Sequence, residues 1–484
     1  MRPLKTGRDR VPERAWLNIP FPSGLIVIPL WGILFLPFAN FPALHLEEGT
    51  HAGVAQDIML RQHWLTPKLL GALPYVKKPP LLPWLMVMSA WVFGGLGEWA
   101  VRMPALIATL AIGLMVHSLV RSVASRLAAL MAASLAMLTP SVMLVAAIGE
   151  TDVLTTAFCF AAFSVIVQRD LATGRGSCGR WISFGLLIGC AALSKGPISL
   201  IFPVGGISYF LLLHGPRREL LFMLPAVCLA ATMLAVWVVP NLTTDVVTIW
   251  WSQMRLDTAL HRPSLSNSLF TAVAFITKVF AESLPTSLLA LPAMVPSLRR
   301  RLHLPERLSS ALVCYSLVGT TVLMLASAAQ ARYAMPAVPA FAVLAGLLFD
   351  VYRAKSPRFL RLIMILLIGL SSFQVIRGAI IAPLRANVVQ HNKQVGIRID
   401  EAISRAPAPL VLLQGPHDMN CLFYLRKATQ DLISPNPPIA GPVWVLFGNR
   451  GESWPAGWVR TPQGPPQLDV ESRNRQPFRL YRIE

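Results

Sequence analysis

Apolar runs of roughly 18 to 25 residues, separated by short gaps that carry arginine, constrain this chain more than any other feature. A run of that length matches a hydrocarbon core about 30 Å thick. Inside such a core every backbone amide must find its partner within the segment, so each run that crosses has to be a helix. Apolar blocks and their breakers place probable spans at 24–43, 103–121, 127–146, 153–168, 181–194, 197–214, 219–239, 283–298, 308–326, 334–351 and 359–376. The fold class this predicts is an all-α polytopic membrane protein with about 11 transmembrane helices.

Composition agrees. Of the 484 residues, 54% are hydrophobic and 14% charged, whereas soluble domains sit near 45–50% and about 25%. The net charge of +20 could suggest a nucleic-acid partner. The basic residues, however, crowd into the gaps between apolar blocks without the aromatic interleaving of single-strand binders, and nucleic acid is set aside. Cys159, Cys178, Cys190, Cys228, Cys314 and Cys421 are scattered, with no C-x-x-C pair and no His-rich spacing, so neither zinc nor a disulfide framework is indicated. The basic N-terminus leading into Leu25–Ala39 resembles a signal peptide but lacks a small-residue cleavage site, and reads as a retained first span.

Charge sets the expected orientation, because Lys and Arg in short loops are retained in the cytoplasm. The N-terminal tail holds Arg2, Lys5, Arg8, Arg10 and Arg14. Alternate gaps hold Arg121/Arg126, Arg169/Arg175/Arg180, Arg217/Arg218, Arg299/Arg300/Arg301/Arg307 and Arg353/Lys355/Arg358/Arg361. The pattern survives only if Leu81–Phe93, with Trp84 and Trp91, lies at the outer interface rather than crossing. Residues 44–102 then form one long outer loop with interfacial helices. The tail from about 384 falls outside, and its strand-like runs Leu410–Leu413, Val443–Phe447 and Phe478–Ile483 between Pro/Gly-rich turns predict a small α/β extracytoplasmic domain. The expected organisation is therefore a basic tail over 1–23, a membrane domain over 24–383 and a C-terminal domain over 384–484.

This topology collects unusual polar residues on the outer side. They are Glu47-Glu48, Lys77-Lys78-Pro79-Pro80, Asp152, Lys195-Gly196-Pro197, a loop with Arg255, Asp257, His261 and Arg262, then Glu282, and Gln330, Arg332 and Tyr333. Ionisable groups near membrane depth are costly and tend to face a cavity or one another. Carboxylates and cations converging from separate loops suit an anionic, membrane-borne substrate. If that substrate is a sugar on a polyprenyl phosphate, Lys78 with Arg255 and Arg332 would stabilise charge developing on the phosphate. Glu47 or Glu48 would take the proton of a hydroxyl acceptor, whereas a phosphate acceptor needs no base.

The same residues carry a resemblance. The ordered series Glu48-Gly49-Thr50-His51-Ala52, Trp64-Leu65-Thr66-Pro67, Pro74-Tyr75-Val76-Lys77-Lys78-Pro79-Pro80-Leu81, Arg102-Met103-Pro104, Glu150-Thr151-Asp152, Ser194-Lys195-Gly196-Pro197 and Arg332-Tyr333-Ala334-Met335-Pro336-Ala337 spans residues 44–345. It resembles the GT-C polyprenyl-phosphate glycosyltransferases, most closely the lipid A aminoarabinose transferases and, more broadly, the protein O-mannosyltransferases. The resemblance implies a GT-C fold in a bacterial inner membrane, a lipid-phosphate sugar donor and a lipid or glycan acceptor at the periplasmic face. It also implies that Glu47 is the essential first-loop acid, that Lys78 contacts the carrier phosphate, that Asp152 lines the same cavity, and that His261 matches a loop histidine. Thr50-His51 stands where the family has Arg-Tyr, and Lys77 where it often has Glu, a possible metal ligand; a divalent metal stays open. The catalytic expectation is thus Glu47, Glu48 and Asp152, with Lys77, Lys78, Lys195, Arg255, His261, Arg262, Arg332 and Tyr333 binding substrate. Two alternatives are a protein O-mannosyltransferase and a polytopic transporter or flippase. A transporter should carry mid-span charge and repeated halves, and neither is found.

Overall fold

Where an apolar run is long and uninterrupted, the computed structural model shows one continuous helical segment. It describes residues 23–69, 73–172, 178–243, 247–248, 265–325, 330–353, 355–408, 410–413, 418–425, 442–448 and 464–483. Among these residues, five helical segments are long and apolar enough to cross a membrane: Glu98–Arg121, Pro197–His214, Glu219–Asn241, Glu306–Leu325 and Pro357–Leu384. Two more candidates are bent pairs. Arg126–Leu138 meets Pro140–Ala146 at 63°, and Phe270–Glu282 meets Thr286–Met294 at 113°. Proline causes both breaks, since it lacks the N–H that would continue the ladder; Pro140 and Pro285 stand at the two joints. The expected straight spans over 127–146 and 283–298 are therefore angled segments, and the second begins well before residue 283.

Leu81–Phe93 is a helix of 13 residues. At 1.5 Å per residue it reaches about 20 Å, short of a hydrocarbon core. The first apolar block ends its helical stretch at Phe38, and Glu48–Arg61 forms a separate, mostly buried helix.

Two kinds of surface separate the outside of this bundle from its interior. Leu221 and Leu224 on one helix, and Leu362, Ile365 and Ile368 on another, are each at least 60% exposed. So much apolar surface is stable only against lipid. The interior is built from small residues that let backbones close up. Ala337–Phe349 is buried throughout, and a Cβ on Gly346 would stand 2.7 Å from Ala132 Cβ.

Past the bundle, strands Leu410–Leu413, Val443–Phe447, Leu468–Glu471 and Pro477–Ile483 form a four-stranded sheet. The first two are parallel, and the last pairs antiparallel with both Val443–Phe447 and Leu468–Glu471. Helix His391–Arg405 buries Val395, Ile399 and Ile403, one stripe at i, i+4 and i+8, in a separate core with Leu410, Leu446, Phe478 and Leu480. This unit grips the first loop. Asn420 Oδ1 accepts from Gly49 N at 3.0 Å while its Nδ2 donates to Leu46 O at 3.0 Å, and Tyr424 Oη accepts from Leu44 N at 2.9 Å. Lys393 pairs with Glu98 at 2.7 Å. Gly49 is required here, because a Cβ would come within 2.4 Å of Asn420 N.

Candidate active site

Glu47 and Glu48 are neighbours with opposite fates. Glu48 opens the helix Glu48–Arg61 and turns inward, fully buried. Arg102, also fully buried, meets it in a fork: Nε to Oε1 at 2.8 Å and Nη2 to Oε2 at 3.0 Å. Nη1 also donates to Phe38 O at 3.0 Å and Nη2 to Ala43 O at 3.3 Å. Gly149 N and His45 N complete the carboxylate at 2.8 and 3.0 Å. Burial alone would raise the Glu48 carboxyl; the charge and hydrogen bonds of Arg102, with His45, outweigh it and hold it at about 2. With every lone pair occupied, Glu48 clamps the first loop to Glu98–Arg121 and to the turn before Thr151.

Glu47, one residue earlier, faces the open side with a third of its side chain exposed. Lys78 Nζ donates to its Oε2 at 3.0 Å and Lys77 Nζ to its Oε1 at 3.3 Å. Burial again pushes upward, but Lys78, Lys77 and their hydrogen bonds bring Glu47 down to about 2. Pro79 and Pro80 hold Lys78 in place, because their ring-locked backbone lies directly before the helix Leu81–Phe93. Lys78 also lies 3.5 Å from His51 Nε2 and 3.8 Å from Glu150 Oε2.

A second group stands beside the first. Asp152, in the first turn of Thr151–Ala172, binds Lys195 Nζ through Oδ1 and faces Arg332 Nη1 at 3.9 Å through Oδ2. Lys195 ends its helix, and Gly196 follows at φ +87°, a left-handed conformation that suits glycine and turns the chain into Pro197. Its ammonium lies 4.1 Å from the centre of the Tyr333 ring, a cation–π contact. Asp152, Lys195, Arg332 and Tyr333 line a narrow cavity together with Thr155 and Phe202. Glu150 links the two groups, since its carboxyl senses Lys78, Asp152, Glu47 and Arg332 together.

The structure thus brings together Glu47, Lys77, Lys78, Asp152, Lys195, Arg332 and Tyr333, and sends Glu48 into a buried clamp. Glu282, near the break before Thr286, pairs at 3.9 Å with Lys278 on its own helix. Arg255, Asp257, His261 and Arg262 lie outside the described residues. Sequence reasoning named Arg102 and Glu150 only as motif members; Arg102 is the anchor of Glu48, and Glu150 is a buried carboxylate at the centre of the site. Arginine inside an apolar block was the available signal. Among the described residues, no cluster of three or more His, Cys, Asp and Glu is arranged to hold a metal ion.

Residues 77–244 match the family described as dolichyl-phosphate-mannose-protein mannosyltransferase. The undecaprenyl phosphate-alpha-4-amino-4-deoxy-L-arabinose arabinosyl transferase of Edwardsiella ictaluri is 28% identical over 197 residues, 40% of this chain and 35% of that one. Its counterpart in Serratia proteamaculans is 27% identical over 193 residues, 39% of this chain and 34% of that one. The chain thus spans about a third of the length of the curated relatives it matches. The crystal structure of ArnT from Cupriavidus metallidurans bound to undecaprenyl phosphate superimposes with a TM-score of 0.64 over 95% of this chain and 97% of that one, at 14% identity. This chain has the GT-C fold. The apo form of the same ArnT gives a TM-score of 0.63 at 15% identity, over 95% of this chain and 96% of that one. Within the GT-C fold, the cluster described above sits where one end of several apolar helices meets the first loop and the segment 418–425.

Proposed function

We propose that this protein is an integral-membrane glycosyltransferase that moves a sugar from a polyprenyl-phosphate carrier to an envelope acceptor, lipid A or another glycolipid. The observation that carries this reading is Lys78, held by Glu47 and flanked by Lys77, on the same face as Lys195 and Arg332. A lipid-linked sugar phosphodiester brings its scissile bond to headgroup depth. As the C1–O bond breaks, its electron pair goes to the phosphate, and fixed cations stabilise that charge. The acceptor oxygen bonds to C1, and its proton passes to Glu47, ionised because Lys78 and Lys77 keep it so. Glu48 and Arg102 act as positioning residues. Asp152 orients Lys195 and Arg332. Arg255, His261 and Arg262 belong to the same proposal as further contacts to the substrate.

Eleven spans with a cytoplasmic N-terminus and an outer segment 384–484 complete the reading. The site draws on the start of Glu98–Arg121, the start of Thr151–Ala172, the end of Cys178–Lys195 and the turn before Ala337–Arg353. Arg121, Arg126, Arg180, Arg217 and Arg353 occupy the opposite ends, the arrangement expected if those ends are cytoplasmic. Outer-face activity follows from that orientation. A second reading, transfer to protein hydroxyls, is favoured by the mannosyltransferase family matched over 77–244. Purified protein given radiolabelled undecaprenyl-phosphate sugars, with mass spectrometry of lipid A and of secreted proteins with and without the gene, tests both. Unchanged lipids and proteins, together with no turnover, refute the transferase.

A further inference from the structure

Three polar groups around Lys78 are left idle by the chemistry above. Glu150 is 1% exposed, and neither of its carboxylate oxygens has a hydrogen-bond partner among the described residues; Lys78 stands 3.8 Å away. The Tyr75 hydroxyl and Nδ1 of His51 are equally unpartnered, on side chains 5% and 1% exposed. The rings of His51 and Tyr75 meet edge to face at 6.3 Å, and the hydroxyl of Tyr75 senses the charges of Glu47 and Glu150. His51 Nε2 lies 3.5 Å from the Lys78 ammonium, which can only donate, an arrangement that suits Nε2 as the acceptor and Nδ1 as the protonated nitrogen. Burial, then Lys78, lowers the His51 pKa to about 3, so the ring is neutral. A buried polar group left unpaired is costly. Three of them, beside the Lys78–Glu47 pair, are hydrogen-bonding positions held open for a ligand.

Charge narrows that ligand. Among the described residues, Lys77, Lys78, Lys195 and Arg332 face Glu47, Glu150 and Asp152, and burial raises the Glu150 carboxyl, so cations are in excess. The negative charge of a phosphodiester offsets part of that excess. An ammonium on the sugar would add to it, and Lys77 already engages Glu47 Oε1, a carboxylate oxygen such a group would seek.

The geometry points to a donor whose sugar is uncharged and hydroxyl-bearing, with Glu150, Tyr75 and His51 taking its hydroxyls and Lys77 excluding an amino sugar. This rests on the transferase reading and separates the chain from the named substrate of its relatives. The test uses the full chain in lipid nanodiscs and compares binding of undecaprenyl phosphate alone, its glucose, mannose and galactose derivatives, and its 4-amino-4-deoxy-arabinose derivative. At least one neutral sugar should bind about tenfold or more tighter than the amino sugar, a difference of about 1.4 kcal/mol. Glu150→Gln should cut the affinity gained from the neutral sugar at least fivefold more than it alters affinity for the bare carrier. Lys77→Glu should narrow or reverse the discrimination against the amino sugar. Preference of the unaltered protein for the amino sugar, or equal weakening of all ligands by Glu150→Gln, overturns the inference. Failure of bare undecaprenyl phosphate to bind refutes the transferase reading itself, and this inference with it.

Discussion

Arg102→Leu removes the cation from a fully buried carboxylate and should destabilise the protein by about 3–5 kcal/mol. Burial raises the Glu48 carboxyl, and Arg102 with His45 reverses that, taking it from the ordinary 4.5 to about 2. At about 1.4 kcal/mol per pH unit, that linkage sets an order-of-magnitude floor of roughly 3 kcal/mol, since losing Arg102 also leaves the burial penalty uncompensated. The folded pKa lies below the unfolded one, so this stability is complete above about pH 4.5 and is lost as pH falls toward 2. In Arg102→Leu the carboxyl stays buried without its partner and protonates above its ordinary range, so acid destabilisation moves into milder pH. The substitution also strips Phe38 O and Ala43 O of a donor. Fluorescence-detected size exclusion of heated, detergent-solubilised protein between pH 8 and pH 3 reads both effects. The double variant Glu48→Leu/Arg102→Leu should recover a large part of the loss, because no charge is left buried alone. If Arg102→Leu melts with the unaltered protein, or if the double variant loses the full sum of the two single changes, the clamp is not what holds the first loop.

Lys78→Ala and Glu47→Ala should insert and elute normally yet lower transfer by about 10²–10³, the usual worth of one group aimed at developing charge; full activity in both refutes the site. Because Lys78 and Lys77 hold Glu47 at about 2, kcat/KM should show no acid limb from that carboxylate above about pH 3, and a bell centred on pH 4–5 that moves in Glu47→Asp would contradict this. Gly49→Ala pushes a methyl into the backbone of Asn420 and should loosen the segment 418–425, seen as faster hydrogen exchange at Asn420 and Tyr424 with a lower melting temperature. Cysteine placed at Lys77 should react with a membrane-impermeant maleimide added outside whole cells, whereas cysteine at Arg300 should react only after lysis; the reverse would invert the topology.

The strands at 410–413 and 443–447 and the helices expected at 103–121, 219–239 and 308–326, observed at Glu98–Arg121, Glu219–Asn241 and Glu306–Leu325, were legible because each rests on a local rule. Alternation or length of an apolar run is written in consecutive residues, and nothing distant need be known. The broken spans were less legible. Proline announces a break but not its angle, and the angles of 63° and 113° are set by what each segment packs against. The site divides in the same way. Motif order pointed to Glu47, Lys78, Asp152, Lys195 and Arg332, and these do converge. Glu47 and Glu48 could not be told apart, since adjacent residues differ only in the side of a helix start they occupy.

Residue order alone determined that this chain needs lipid around it, where its charges can lie, and which separated segments carry polar groups too costly to be incidental. Tertiary structure decided which carboxylate faces solvent and which is locked to Arg102, and that Glu150 sits between two cation groups with no hydrogen bond to its oxygens among the described residues. The physical reason is range. Hydrophobic periodicity acts over a few turns of one helix, whereas an ion pair across 54 residues of sequence exists only once packing has brought its ends together.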